Sequence, residues 1–229
     1  MKYSFSIVSH NQQDLCKAAI ESIIRNVDED YEILLTLNTN EELVIDLDSN
    51  LNFRIIPNTK PLGFGTNHNN AFKHSKGDYF VVVNPDIRIN KWSKVNLNSR
   101  TLYSPIILNP DGSVADYSRS YPTLINLVKR KFLGLKNEKL DWFAGVFLIL
   151  ESSFFEELNG FDQDFFMYLE DTDLSLRVKE TGGMLKVVDS ISILHDARRD
   201  SKKNLKFFKY HISSLFKFYL KHNTKIIFS

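Results

Sequence analysis

Along the first half of the chain, apolar positions switch repeatedly between two periods. YSFSIV (3–8) alternates as a strand does, and Leu15 to Ile24 then shows the spacing of one helical face. YEILLTL (31–37) reads as a buried strand and FRII (53–56) as another, followed by a loop over 57–65 and a helix over 67–75. Gly77-Asp78 turns into YFVVV (79–83), the most apolar strand of the chain. Strands alternating with helices predict an α/β protein, a Rossmann-like, mostly parallel sheet with helices on both faces. Ligands of such a sheet gather at the carboxyl ends of its strands.

The second half is less regular. LYSPIIL (102–108) reads as a strand, NPDG (109–112) as a tight turn and TLINLVKRKFL (123–133) as a helix. FAGVFLIL (143–150) predicts a strand, and SSFFEEL (152–158) a short helix with a serine cap and Glu156 near a capping-box position. Strands MLKVV and ISIL lie on either side of Asp189-Ser190 and end at His195, and a last helix runs from Lys202 to Lys221. Neither a repeat nor a low-complexity linker interrupts the chain. One domain over 1–200 with a C-terminal helix and tail over 201–229 is the expected organisation.

Composition changes this picture only locally. The chain has 229 residues, 43% of them hydrophobic, and a net charge of +1, which gives no reason to expect nucleic acid as a partner. From Arg198 to Ser229, however, nine Lys/Arg stand against the single acid Asp200, a bias that fits an anionic surface. The one cysteine, Cys16, excludes an intrachain disulfide and is expected buried in a helix. The N-terminus has neither the basic start nor the apolar core of a signal peptide, and no stretch is apolar enough to span a bilayer. A cytoplasmic protein, peripheral at the inner face of the membrane, is the expectation.

Three places carry candidate chemistry. NPD (84–86) follows the buried strand YFVVV, where a carboxylate can hold a divalent cation against phosphate oxygens or simply close a turn. PLGFGTNHNN (61–70) puts two glycines before a helix, which suits close approach of backbone N–H groups to phosphate. It is not a dinucleotide fingerprint, because His68 stands where a third glycine belongs. MYLEDTDLSLR (167–177) concentrates Glu170, Asp171 and Asp173 at a helix start, where unpaired N–H groups and the macrodipole favour acids, and where one acid can also serve as a base. It is not an EF-hand, since the sixth position from Asp171 is Leu176 and the twelfth is Gly182. Asp173 is spaced to pair with Arg177.

IVSHN (7–11), GFGTNHNNA (63–71), YFVVVNPDI (79–87), DWFAGVFLI (141–149), NGFDQDFFMYLEDTDLSLRV (159–178) and the strand ending at His195 occur in an order that resembles one family. It is that of the family 2 inverting glycosyltransferases with the GT-A fold, and within it the bacterial O-antigen rhamnosyltransferases. The resemblance implies that Asp171 is the catalytic base and that Asp86 and His195 contact a metal, Mg²⁺ or Mn²⁺. It further implies that Ser9, Asn38, Gly63, Phe64, Gly65, Asn70 and Asn84 line the nucleotide-sugar pocket. Glu170 and Trp142 would face the acceptor, the tryptophan because aromatic faces pack well on sugar rings. Relatives usually end the second strand with an Asp-Asn pair whose Asp contacts the base; here Leu37 stands before Asn38.

The implied activity is transfer of L-rhamnose from dTDP-rhamnose to a lipid-linked saccharide. The same chemistry with a galactofuranosyl or hexosyl nucleotide is an alternative, and a catalytically silent saccharide-binding protein is another. A lipid-linked acceptor gives the basic C-terminal helix a reason to touch an anionic membrane. In that helix Leu205, Phe208, Ile212, Leu215, Phe216 and Tyr219 form one apolar stripe expected to pack, with Phe207 and Phe218 on a second face left for lipid.

Overall fold

The computed structural model describes residues 1–41, 51–115, 120–121, 140–196 and 205–226, and the expected helix over 123–133 lies outside them. Strands β1 (Tyr3–Ser9), β2 (Tyr31–Leu37), β3 (Phe53–Pro57) and β4 (Tyr79–Val83) form the parallel half of an eight-stranded sheet. Helix α1 (Gln13–Asn26) crosses between β1 and β2, and α2 (Phe64–Phe72) between β3 and β4. In this half, Tyr3 pairs with Tyr31 and with Tyr79, so odd-numbered positions of all three strands share a face.

The second half is mixed. β5 (Ile87–Lys91), β6 (Thr101–Leu108), β7 (Phe147–Glu151) and β8 (Met184–His195) complete the order β3-β2-β1-β4-β7-β6-β8-β5. β7 is antiparallel to β4 and β6, β5 is antiparallel to β8, and β6 and β8 are parallel. The two expected strands around Asp189-Ser190 are one, β8, with a register shift opposite Pro105/Ile106. The turn at 109–112 forms as expected, with Gly112 N–H donating to the Asn109 carbonyl at 2.9 Å.

Each sheet face is covered by helices. Phe5, Ile7, Ile33, Leu35, Val81 and Val83 pack with Cys16, Ile20 and Ile23 of α1. On the other face Leu34, Phe80, Val82 and Leu148 pack with Phe154 and Phe155 of α3 (Ser152–Glu157) and with Leu174 and Val178 of α4 (Glu170–Glu180). The expected serine cap of α3 is absent: its N-cap is Glu151, and Ser152 Oγ donates instead to the Gly77 carbonyl at 2.6 Å.

The last helix, α5 (Leu205–Ile226), docks turned away from the expected stripe, of which Leu215 does pack on the protein. Phe218 is fully buried with Phe165, Leu169 and Leu176, whereas Phe208, Ile212 and Phe216 face solvent. Polar demand explains the rotation. Asp173 has 0% exposure and must be paired. It accepts from His222 Nε2 at 2.8 Å and Lys221 Nζ at 2.7 Å, both on the Phe218 side of the helix. Ser214 Oγ adds a bond to the Met167 carbonyl at 2.8 Å.

Candidate active site

The carboxyl ends of β1, β2 and β4 open onto a cavity of about 320 Å³. Val8 and His10 enter it at the end of β1, Asn38 after β2, and Val83 through Asp86 at the end of β4. Leu62, Phe64, Asn67 and His68 supply a second wall, and Phe166, Met167 and Phe207 a third.

The loop ahead of α2 is held by side chains rather than by turn chemistry. Asn38 grips Leu62 at both backbone groups: its Oδ1 accepts the N–H at 2.7 Å and its Nδ2 donates to the carbonyl at 3.0 Å. Asn69 does the same for Phe161, at 2.9 and 2.7 Å. Gly63 and Gly65 are required by this packing. A Cβ on Gly63 would stand 2.5 Å from the Phe166 carbonyl oxygen, and one on Gly65 2.5 Å from Phe161 Cβ. The glycines therefore admit the 161–166 segment, and neither is among the cavity-lining residues. Asn70 also lies outside the lining and accepts from Lys73 at 3.1 Å on the exposed side, while Ser9 Oγ donates to Glu41 at 2.7 Å.

His68, which spacing alone leaves without a role, is wholly buried in the wall. Its Nδ1 is 2.8 Å from Ser6 Oγ, its Nε2 has no partner, and burial pushes its pKa down to about 3, so the ring is neutral. The signal for Asn67 and His68 was available in the helix period, since residues three and four beyond Phe64 share its face. Nothing local announces Phe166, Met167 and Phe207, which arrive from distant segments.

Asp86 and His195 do come together. The pairing of Ile87 with His195 sets them side by side, with His195 Nε2 3.4 Å from Asp86 Oδ2. Asp86 Oδ1 is buried without a partner. An oxygen so placed, beside an imidazole nitrogen and Asn84 at a strand end, fits a hard divalent cation. No group of three or more His, Cys, Asp or Glu gathers among the described residues, so such a cation would need oxygens from a ligand as well.

The acidic helix start is set by strain and then divided by environment. Tyr168 and Leu169 both have left-handed backbones, φ 72° and 66°, uncommon for residues with side chains. They turn the chain sharply into α4. Asp171 Oδ2 accepts the Gly145 N–H at 2.8 Å and Oδ1 the Thr172 N–H at 2.7 Å. Neither it nor Gly145 is a lining residue, but a Cβ on Gly145 would stand 3.5 Å from Asp171 Cβ and 3.2 Å from the ring of Phe64, which does line the cavity. Glu170 is buried, its Oε2 has no partner, and burial together with the neighbouring Asp171 holds its pKa well above the ordinary carboxylate value. Burial thus favours the neutral form of Glu170.

Asp173 pairs as expected with Arg177, at 2.7 Å. Burial would raise its pKa, but His222, Arg177 and Lys221 outweigh it and hold the value at about 2. Trp142 is half-buried and its indole N–H donates to the Ser120 carbonyl at 3.0 Å. It packs on the Phe165–Leu169–Phe218 cluster, not on the cavity.

Residues 4–94 match the model of the family described as Glycosyl transferase family 2. The rhamnosyltransferase WbbL of Escherichia coli K12 is 30% identical, over 93% of this chain and 90% of that protein. The N-acetylglucosaminyl-diphospho-decaprenol L-rhamnosyltransferase of Mycobacterium tuberculosis is 28% identical, over 63% of this chain and 59% of that one. Among solved structures, GalNAc-T7 with UDP, GalNAc and Mn²⁺ is similar at a TM-score of 0.65 and 18% identity, covering 86% of this chain and 43% of that chain. The mannosyltransferase PcManGT of Pyrobaculum calidifontis, in complex with GDP-Man and Mn²⁺, follows at 0.58 and 13%, covering 87% of this chain and 58% of that one. Sequence likeness across nearly the whole chain and a shared GT-A fold lead to one conclusion: this protein belongs to glycosyl transferase family 2 and is a glycosyltransferase.

Proposed function

We propose that this enzyme transfers L-rhamnose from dTDP-rhamnose to a hydroxyl of a lipid-linked saccharide, with inversion at the anomeric carbon. One observation carries the reading: Asp86 lines the strand-end cavity, and Asp171 is fixed beside Gly145, a neighbour of the lining residue Phe64. Asp86 leaves Oδ1 without a partner on the strand-end side, and Asp171 is fixed by backbone N–H groups across Gly145. The nature of the sugar is supported by the two rhamnosyltransferase relatives.

In this reading the cavity beside Asn84 and Asp86 takes the nucleoside diphosphate. Asp86 and His195 would hold Mg²⁺ or Mn²⁺, which would supply charge stabilisation to the departing diphosphate. Manganese in the two solved GT-A structures supports a divalent cation. A sugar hydroxyl is a weak nucleophile at neutral pH, so Asp171 accepts its proton as the new C–O bond forms and the bond to the diphosphate breaks. Glu170, whose carboxyl is held well above the ordinary value by burial and the neighbouring Asp171, orients the acceptor. Recognition of the base falls to residues other than Leu37, which is in the core.

The test offers a panel of nucleotide sugars with a lipid-diphosphate N-acetylhexosamine, read by mass spectrometry. Addition of one deoxyhexose from dTDP-rhamnose is expected, abolished by chelator and restored by either metal. Hexose or galactofuranose addition in its place would replace the donor. No transfer from any donor would favour a silent saccharide-binding protein.

A further inference from the structure

Phe208, Ile212, Phe216 and Leu220 of α5 are 61%, 48%, 64% and 68% exposed. They recur at every fourth position, so they form one continuous band along the helix. The opposite side, with Ser214, Phe218 and His222, already docks the helix on the protein. The band therefore contributes nothing to holding α5 in place. A row of large apolar side chains left in water marks a surface that meets something.

Charge indicates what it meets. Nine Lys/Arg against one acid lie between Arg198 and Ser229. Lys209 is exposed directly beside Phe208. Lys217 and Lys221 flank the band while reaching back to the Asp164 carbonyl and to Asp162 and Asp173. A second copy presenting this same face would bring like charges together. An anionic bilayer satisfies the band and the exposed Lys209 at once. No helix among the described residues is long and apolar enough to cross a membrane, so contact along the surface is the geometry that remains.

Position ties this surface to the cavity. Phe207, next to the first residue of the band, lines the cavity, and Tyr210 packs at 4.9 Å on Phe166, another lining residue. We infer that α5 lies flat in the interface of an anionic bilayer, with Phe208, Ile212, Phe216 and Leu220 inserted at the acyl boundary. The cavity mouth is then held at the headgroup layer. This deepens the proposed function by giving its lipid-linked acceptor a route to Asp171, and rests on that reading for its purpose, not for its surface.

The experiment mixes the full chain with vesicles of phosphatidylcholine alone or with phosphatidylglycerol added, and reads co-sedimentation. Wild type is compared with a Phe208→Ser, Ile212→Ser, Phe216→Ser, Leu220→Ser variant and with Lys209→Glu. Turnover on a water-soluble acceptor glycoside reports that the fold is intact. Wild type is expected to bind the anionic vesicles, less so at high salt. The quadruple variant should lose about tenfold or more of that binding, Lys209→Glu a smaller part, and both should keep turnover. No binding by wild type, or equal binding by the quadruple variant, overturns the inference. So does self-association that the quadruple variant abolishes without any vesicle binding, which would assign the band to a second copy. Vesicle binding needs neither donor nor acceptor. A chain that binds vesicles but transfers no sugar therefore contradicts the proposed function and leaves this surface standing.

Discussion

Two regions of the site use polar side chains in opposite ways. Around the strand ends, most of them are engaged with the protein's own backbone: Asn38 holds Leu62 and Asn69 holds Phe161. Within the cavity wall, Asp86 Oδ1 and His68 Nε2 are the buried side-chain atoms left without a partner. In the first turn of α4, by contrast, three acids within four residues have three separate fates. Asp173 is neutralised by His222, Arg177 and Lys221, Asp171 is held by backbone N–H groups, and Glu170 is buried beside it. Residue type therefore says little about role here; what each oxygen already accepts says more.

Removing the most heavily paired acid should produce the largest change. Asp173→Ala strands Lys221, Arg177 and His222 and unfastens α5, at a cost of about 3–5 kcal/mol in unfolding free energy. Denaturant titration checks this. In wild type the folded pKa of about 2 lies below the ordinary value of 3.8. The stability it adds is complete above the ordinary value and is lost as pH falls through about 2. An Asp173→Ala protein should lack that part of the acid limb.

Asp171→Asn keeps the shape and one of the two backbone hydrogen bonds, from Gly145 or from Thr172, while removing the base. Turnover should fall about 10²-fold or more, equivalent to roughly 3 kcal/mol on the barrier, with the melting temperature nearly unchanged. A variant that turns over like wild type would erase the distinction between Asp171 and its neighbours.

Asn38→Ala probes the other region. It frees the Leu62 N–H, while the Leu62 carbonyl keeps its bond from Asn67 Nδ2 at 3.2 Å; it should cost about 1–3 kcal/mol of stability, and raise the donor KM by loosening the wall. A raised KM with unchanged stability would instead assign Asn38 to the donor.

The smallest effect is on pH dependence. The folded pKa of Glu170 is raised, so its contribution to stability is complete below its unfolded value and is lost as pH rises through the folded value. Glu170→Gln should flatten the decline of melting temperature between weakly acidic and neutral pH. Identical profiles for the two proteins would mean that Glu170 is ionised after all.

The parallel half was legible because Tyr3, Phe5 and Ile7 alternate onto one buried face and the unbroken apolar run Tyr79–Val83 supplies both. Strand β5 escaped notice, since IRINK is polar at Arg88, Asn90 and Lys91 and sits at the sheet edge. Helix α2 begins at Phe64, three residues before the expected start, because its N-cap is Gly63, which carries no side-chain signal. The face of α5 was misjudged because apolar spacing cannot see the buried carboxylate that draws in Lys221 and His222. Within the site, the family pattern pointed to Asp86, Asp171 and His195, of which the structure sets Asp86 and His195 3.4 Å apart. The work of Asn38, Gly63 and Gly65 was not, as it depends on how closely residues 161–166 approach.

The central claim is that the strand-end cavity holds a nucleoside diphosphate through Asp86 while Asp171 acts only on the acceptor. Calorimetric titration of dTDP with Mg²⁺ or Mn²⁺ into wild type, Asp86→Ala and Asp171→Asn tests it directly. Binding should require the metal, weaken about tenfold or more in Asp86→Ala, and remain at the wild-type level in Asp171→Asn. Metal-independent binding that Asp86→Ala leaves intact would contradict the account.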